Sequence, residues 1–183
     1  DRPFIWHMFH ARPGGGASSG GDGWHNSGEW HSAGGLKFGS IEVAETRFPL
    51  HFPLHEFRPD SGGDGQFVGG TGVDLALVVE TDAPAVANVA GDGLRHGARG
   101  MRGGNDGAPH RYLLEAPDGE AQVLRSKMEG VPVPPGATFQ VHSGGGGGWG
   151  PPDKRDPAAR QRDAVNELVT AEGRTAQNRG RRS

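Results

Sequence analysis

The chain contains no cysteine, so a disulfide framework, a thiolate metal site and a cysteine nucleophile are all excluded. It also has no Asn-x-Ser/Thr sequon and no apolar run near the roughly 20 residues that a membrane-spanning helix needs. Its opening residues, DRPFIWHMFH, do not have the composition of a signal peptide. These absences favour a cytoplasmic protein without a membrane partner.

Charge of one sign is also scarce. The sequence has 19 lysines and arginines against 22 aspartates and glutamates, a formal net charge of -3. This balance gives no general reason to expect nucleic acid or an anionic membrane as a partner. The terminal sequence RGRRS is a local exception and is typical of a solvated tail, so we expect no nucleic-acid partner.

Hydrophobic residues make up only 33% of the chain, while its 34 glycines and 14 prolines together exceed a quarter of all positions. Such a composition raises the question of disorder. Strand-like apolar segments nevertheless recur between the glycine clusters, and four tryptophans are spread along the chain. We therefore predict an ordered, loop-rich fold, and the length suits one well-buried domain.

The strongest periodic signal is alternation of apolar and polar residues, which predicts antiparallel strands. The opening residues indicate a short buried strand. Residues 41–54 indicate a half-buried strand or a bent pair, because Ile41 and Val43 and then, past a bend, Phe48, Leu50, Phe52 and Leu54 fall on one face. Further strands are predicted in VDLALVVETD, AVANVAGDG, HRYLLEA, QVLRSK and ATFQVHS, with PDGE and VPVPPG as separators.

Helix signals occur only near the end. Asp156 is a natural N-cap, Pro157 suits the first helical position, and Ala158, Val165, Leu168 and Val169 share a face at helical spacing. Thr170 is a candidate cap for a second short helix. The predicted fold class is β-rich α+β, with mostly antiparallel strands, long glycine-rich loops and a C-terminal helical tail. We divide it into a β-rich region, 1–150, and the tail, 151–183.

The histidines are the natural place to look for metal chemistry. The cluster of His7, His10, His25 and His31, with Asp22 and Glu29 nearby, has suitable residue types, but its spacing is not diagnostic. His51 and His55 would lie about 13 Å apart on one strand face, too far for one metal. Packing and loop hydrogen bonds are the favoured use, and no metal site is assigned.

Familiar catalytic motifs are missing. GDGLRHG has the wrong spacing for a dinucleotide-binding turn, and GGGGGWGPPDKR lacks the Gly-Lys-Ser/Thr of a P-loop. No Gly-x-Ser-x-Gly elbow is present either, so the catalytic residues are unknown.

What remains is a set of glycine clusters at residues 14–16, 62–63, 69–72, 103–107 and 144–148. Glycine backbone can turn tightly and offer amides to an anion or to a neighbouring chain, so we expect several of these loops to converge on a ligand or a partner surface. In VHSGGGGGWGPPDKRDP, Trp149 and two prolines interrupt or follow the glycines. This favours a fixed loop over a slack linker, with Trp149 as its anchor at an interface.

The order of motifs resembles the C-terminal third of the hydantoinase B/oxoprolinase family. The resemblance is carried by IEVAETRFPLHFPLHEFRPDSGGDGQFVGGTGV, then PHRYLLEAPDG, then VPVPPGATFQVHSGGGGGWGPPDKRDPAARQRDAVNELVTAE, and it covers essentially the whole chain. The departures are Val68 for the family's arginine, Ala137 for aspartate, His142-Ser143 for Thr-Pro, and Pro151 for aspartate. They indicate a divergent branch.

The family, which includes 5-oxoprolinase, N-methylhydantoinase and the acetone and acetophenone carboxylases, implies a two-component, ATP-dependent enzyme. In it a HyuA-like ATPase subunit phosphorylates a lactam, hydantoin or enolised ketone, and the B component hydrolyses or carboxylates the product. The family's metal-binding residues lie in the N-terminal part of the B component. The chain, which starts at Asp1 rather than a methionine, would then be a C-terminal portion or split subunit, inactive alone.

From this resemblance we expect part of a cyclic amide hydrolase, with a ketone carboxylase subunit or a non-catalytic assembly module as alternatives. The expected partners are the ATPase subunit, the remaining HyuB-like N-terminal portion and a small-molecule substrate. ATP with Mg²⁺ and a divalent metal are expected elsewhere in the complex, with no cofactor bound by this chain. The candidate substrate- or phosphate-loop residues are Arg58, Ser61, Gly62, Gly63, Arg102, His142, Gly145 and Gly146, with Trp149 as the interface anchor.

Overall fold

The computed structural model describes residues 3–8, 10–27, 39–83 and 85–173. The regular elements, in chain order, are α1 (Ile41–Arg47), β1 (Leu50–Phe57), β2 (Val73–Val79), β3 (Ala85–Ala90), β4 (Arg111–Glu115), β5 (Ala121–Val123), β6 (Lys127–Val133), β7 (Thr138–His142), a 3-10 turn (Pro152–Lys154) and α2 (Pro157–Val165). The predicted β-rich α+β class is confirmed.

The strands form two sheets in which every pair is antiparallel. The larger has the order β1-β2-β7-β4-β5, and β3 and β6 form a two-stranded sheet. The alternation in β2 explains their packing, because Val73, Leu75, Leu77 and Val79 are buried while the residues between them are half-buried. Leu75, Leu77 and Val79 join a core with residues of the small sheet such as Val131 and Val133.

Most predicted strands are confirmed, namely β2, β3, β4 and β7. The prediction for QVLRSK was only partly right, because β5 ends at Val123 and Lys127 begins β6. The segment VPVPPG, predicted as a separator, is also partly strand, since β6 runs to Val133. Pro132 pairs there with Val86. A two-stranded sheet has only edge strands, and an edge strand tolerates proline because its N–H face need not pair.

The prediction of a strand or bent pair over residues 41–54 was right only in its second part, because residues 41–47 form α1 and residues 50–54 lie in β1. Ser40 is the N-cap and accepts a hydrogen bond from the Val43 amide. Ala44 is buried, and Ile41 and Phe48 pack against the core. Their spacing of three and four residues fits one helix face, whereas the strand prediction had rested on Ile41 and Val43.

The predicted N-terminal strand is also wrong, since residues 3–8 form no regular element and Ile5 is 83% exposed. Trp6 instead packs its ring on Phe52, with centroids 5.6 Å apart, and stacks on His10 at 5.8 Å. Aromatic packing against β1 therefore holds this segment without strand pairing.

The C-terminal helix begins as predicted. Asp156 is the N-cap, accepting from the Ala158 amide at 2.9 Å, and Pro157 takes the first position. The helix ends at Val165, so the expected shared face with Leu168 and Val169 is wrong, and its one buried residue is Ala159. After Thr170, residues 171–173 are helical and the rest of the predicted second helix lies outside the described residues.

A buried guanidinium ties the segment after residue 150 to the β-rich region. Arg155 donates to both oxygens of Asp22, at 2.8 and 3.0 Å, and to both of Asp163, at 2.9 and 3.1 Å. Burial alone would raise the pKa of Asp22, but the hydrogen bonds from Arg155 and from the Val68 amide, together with the charges of Arg155 and Arg162, leave this pKa below its usual value. The division at residue 150 stays a prediction.

The glycine clusters form a bundle of backbones around residues 144–148, all of which are buried. The segment is hydrogen-bonded to three others. Gly14 donates to the Gly144 carbonyl at 2.9 Å, Gly63 donates to Gly146 at 2.8 Å, and Gly148 donates to Asn105 at 2.9 Å. We call this arrangement, made by residues 14–17, 61–70, 98–108 and 144–148, the glycine bundle.

Space, and not backbone conformation, requires glycine along this segment. None of the residues 144–148 has a positive φ. A Cβ on Gly145 would overlap the Ser61 carbonyl, one on Gly146 the Gly15 carbonyl, and one on Gly147 the Arg99 carbonyl. Consecutive glycines therefore face different neighbouring backbones, which explains an unbroken run of them.

We predict that Gly146→Ala lowers the unfolding free energy by about 3 kcal/mol or more, because neither backbone can move away without breaking its own hydrogen bonds. Gly16→Ala is the matched control, since its Cβ would be 3.9 Å from the nearest atom, the Gly147 carbonyl oxygen. Urea unfolding followed by tryptophan fluorescence measures both. Equal stabilities of the two variants would contradict this packing constraint.

Candidate functional site

Arg58, Asp74 and His142 lie together where three neighbouring strands meet the glycine bundle. Asp74 is paired across strands with His142. The His142 Nδ1 lies 2.7 Å from Asp74 Oδ1, and because a carboxylate only accepts, the ring nitrogen is the donor. Both side chains remain partly exposed, at 30% and 26%. The opposite ring nitrogen, Nε2, has no partner within the described residues, so this imidazole is oriented yet accessible.

Arg58 has a different role, because one nitrogen of its guanidinium donates hydrogen bonds to backbone carbonyls. Its Nη1 donates to the carbonyls of Pro109 at 2.9 Å and Ser143 at 3.1 Å, and its Nε lies 3.9 Å from Asp74. These contacts hold the chain where β7 passes into the glycine bundle. The side chain thus positions Asp74 and the start of the glycine run.

Ser61 is 1% exposed, and its hydroxyl is fully engaged. It donates to the Arg58 carbonyl at 2.7 Å and accepts from the Gly72 amide at 3.0 Å. Ser143 is used in the same way, donating to the Arg12 carbonyl and accepting from Val73, both at 2.7 Å. These serines fix loops to strands.

The candidate glycines lie inside the glycine bundle. The amide of Gly63 donates to Gly146, that of Gly145 to Ala108 and that of Gly146 to Gly70. A Cβ on Gly62 would overlap the Gly69 carbonyl. These three amides are therefore already bonded within the chain and are not free to bind an anion.

Trp149 follows the glycine run, which His142 precedes, and Arg102 is next to Met101, whose backbone bridges to Trp149. Arg102 occupies a turn with φ of 55° and is exposed, and within the described part of the chain its side chain has no hydrogen bond or ion pair. Trp149 pairs its backbone with Phe67 and bridges to Met101, and its ring centroid is 6.0 Å from that of Phe67. The tryptophan therefore packs against this chain, and both the fixed loop and its role as an interface anchor stay predictions.

Asp64 is a polar group that the sequence did not single out. It is 6% exposed, its Oδ1 accepts from the Gly65 amide at 2.9 Å, and its Oδ2 is buried without a partner. Burial raises the pKa of the Asp64 carboxyl, although Arg160 and Arg155 pull it the other way. Asp74 was missed as well, because the alternating pattern of β2 predicts that a carboxylate at this position points into solvent.

Two of the histidines considered as possible metal ligands, His10 and His25, have other contacts. His25 Nδ1 accepts from the Thr71 amide at 3.0 Å, and His10 is buried against Trp6. Glu29 and His31 lie outside the described residues. Among the residues that are described, no group of three or more His, Asp or Glu side chains could hold a metal ion. Within the same residues no helix has the length and apolarity to cross a membrane.

Comparison with known proteins gives consistent matches. The profile of the family described as hydantoinase B/oxoprolinase matches residues 2–152. Caprolactamase subunit beta of Pseudomonas jessenii is 30% identical over 170 residues, covering 87% of this chain and 28% of that protein. 5-Oxoprolinase 1 of Arabidopsis thaliana is 32% identical over 109 residues, covering 60% of this chain and 8% of that protein. The resemblance seen in the sequence is confirmed.

Solved structures share the fold. The ATP-dependent caprolactamase from Pseudomonas jessenii gives a TM-score of 0.70 at 30% identity, covering 88% of this chain and 28% of that one. Nucleotide-free acetone carboxylase gives 0.67 at 21% identity, covering 88% and 25%. The chain therefore spans less than a third of the length of each of these relatives.

We predict that Asp64→Asn changes the pH dependence of stability. The folded carboxyl holds its proton to a higher pH than the unfolded one, whose pKa is about 3.9, so wild-type stability falls as pH rises through the folded pKa. The variant carries no charge and lacks this fall. Urea unfolding from pH 4 to pH 8 should show its stability relative to wild type rising with pH.

Asp82→Asn is the control, because Asp82 is exposed and should give a constant difference across the same range. An Asp64→Asn variant whose difference from wild type also stays constant with pH would contradict the raised pKa.

Proposed function

Because this chain belongs to the hydantoinase B/oxoprolinase family, we propose that it forms a C-terminal part, or a split subunit, of an ATP-dependent cyclic amide hydrolase. The observation that carries the proposal is the 30% identity to caprolactamase subunit beta over 87% of this chain. Because the chain spans only 28% of that relative, the complete active site would include residues from elsewhere, and we expect the chain to be inactive alone.

The physical contribution of this chain would be a rigid frame. Loops that enter the glycine bundle are fixed by backbone hydrogen bonds from several directions. A frame of this kind can hold catalytic groups of neighbouring parts without reorganisation during the reaction, and it can close a cavity against water. The glycine loops would thus supply both shape and subunit contacts.

His142 is the candidate residue best placed for direct contact with a substrate or a partner. Its Nδ1 is held by Asp74, and its accessible Nε2 faces away from that bond. Arg58 and Ser61 act through position, since Arg58 Nη1 and the Ser61 hydroxyl are bonded within the chain. Arg102 is accessible and suits a subunit contact.

The proposed partners follow from the family. A relative named caprolactamase subunit beta belongs to a multi-subunit enzyme by its name. For this chain we propose a HyuA-like ATPase subunit and the remaining HyuB-like N-terminal portion as partners, with a small-molecule cyclic amide as substrate. ATP with Mg²⁺ would be bound by the ATPase subunit and a divalent metal by the N-terminal portion.

Two alternative functions are each supported by one observation. The fold shared with acetone carboxylase makes a ketone carboxylase subunit the second candidate. The internal use of the Gly63, Gly145 and Gly146 amides favours a non-catalytic assembly module as the third.

The test is reconstitution of the chain with its proposed partners, followed by ATP-dependent turnover of a cyclic amide and of a ketone with bicarbonate. We expect amide hydrolysis only in the assembly. His142→Asn should lower kcat/KM at least about tenfold, because general acid–base and orienting groups carry effects of this size or larger. His51→Gln is the matched control, since this exposed histidine is also bonded to a carboxylate, Glu45 at 3.1 Å.

Amide turnover by the isolated chain would refute a partial site. Ketone carboxylation by the assembly would select the second candidate. Normal kinetics in both histidine variants would contradict the role of His142 and favour an assembly module.

A further inference from the structure

A cleft of about 910 Å³ opens beside the glycine bundle, between residues 13–16 and the loop 91–98. Gly144 and Gly145 line it where the chain leaves β7. Apolar groups of Met8, Ala11 and Pro13 line one side of the cleft. None of the candidate residues Arg58, Ser61, Arg102 or His142 lines it. The cleft is therefore separate from the Asp74–His142 pair.

His110 presents a hydrogen-bond donor in this cleft. Its Nδ1 accepts from the Gly144 amide at 3.1 Å, so in the neutral ring the proton is on Nε2. A Cβ on Gly144 would lie 3.2 Å from Nε2 and one on Gly93 would lie 3.9 Å from it, and both glycines line the cleft. His110 Nε2 thus lies beside space in the cleft that is open because Gly93 and Gly144 have no side chains.

Tyr112 brings a second donor to the same place. Its hydroxyl oxygen is 3.4 Å from His110 Nδ1, but the lone pair of that nitrogen is already taken by the Gly144 amide. The hydroxyl proton is therefore available to another acceptor. A side chain on Gly91 would collide with this hydroxyl, so glycine is needed there as well.

Both donors are uncharged near neutral pH. Burial, and then the charge of Arg58, lowers the pKa of the His110 imidazole. Burial, and then the charge of Asp92, raises the pKa of Tyr112. Arg12 and Asp92 contribute one charge of each sign to the lining, and Asp92 is bonded to Lys127 at 2.7 Å. The cleft thus combines two neutral donors and several apolar residues with one charged residue of each sign.

We propose that this cleft binds a small uncharged molecule through a carbonyl oxygen, with His110 Nε2–H and Tyr112 O–H as the two donors. A carbonyl oxygen has two lone pairs and can accept both bonds. The carbon skeleton of the ligand would lie against Met8, Ala11 and Pro13. Such sites, mostly apolar with a few converging polar groups, are typical of small-molecule recognition.

The test is an NMR titration of the full 183-residue chain with 2-pyrrolidinone as a neutral carbonyl probe. We expect saturable shifts of the His110 ring and of the Gly144 amide. Acetate and pyrrolidinium serve as an anionic and a cationic probe of similar size, and both should bind more weakly. Tyr112→Phe keeps the aromatic packing and removes one donor, so it should weaken lactam binding about three- to tenfold.

His51→Gln, remote from the cleft, is the control for the loss of a polar side chain and should bind the lactam as wild type does. The proposal is overturned by the absence of saturable shifts at His110, by unchanged affinity in Tyr112→Phe, or by preference for acetate. Whether His110 shows saturable shifts is measured on the wild-type chain, so this outcome does not depend on the folding of any variant. Lactam binding here without amide turnover by the reconstituted enzyme would refute the proposed function and leave this inference standing.

Discussion

The packing of bare backbone against bare backbone around residues 144–148 is the constraint on which the rest of the structure depends. Each of these glycines faces another segment of the chain at a distance that leaves no room for a side chain. The contact closes long loops whose ends lie in different strands, so it fixes parts of the molecule that neither sheet could order. Residues 144–148 are held in one arrangement because each faces the backbone of a different segment at close range.

The functional groups take their places from this frame. Ser61 and Arg58 lie in glycine turns and help to hold the frame together. The Ser61 hydroxyl and Arg58 Nη1 both donate to backbone carbonyls. His142 lies just before residues 144–148 and His110 just after residues 98–108, and in each ring Nδ1 is held by a hydrogen bond, to Asp74 and from the Gly144 amide respectively. The chain therefore combines a structural centre with accessible donors around it, as a contributor to a larger active site would.

The sequence predicted the elements that depend on local pattern. Alternation identified β2 and β7, and Asp156-Pro157 identified the start of α2. Residues 41–47 were assigned wrongly because Ile41, Ala44 and Phe48 fit a helix face while their neighbours fit a strand. The use of the glycine amides could not be predicted, because it depends on which distant backbone arrives opposite Gly145 or Gly146. Asp74 and His110 were missed for the same reason, since their partners are far away in sequence.

Native-state hydrogen exchange of the amides in the glycine bundle tests the central claim most directly. If the bundle is the frame of the fold, the amides of Gly145, Gly146 and Gly148 exchange only through global unfolding, as slowly as those of β2, although they belong to no strand or helix. Exchange as fast as in the exposed turn at Gly119 would contradict the account, because it would make the glycine run a loosely held loop.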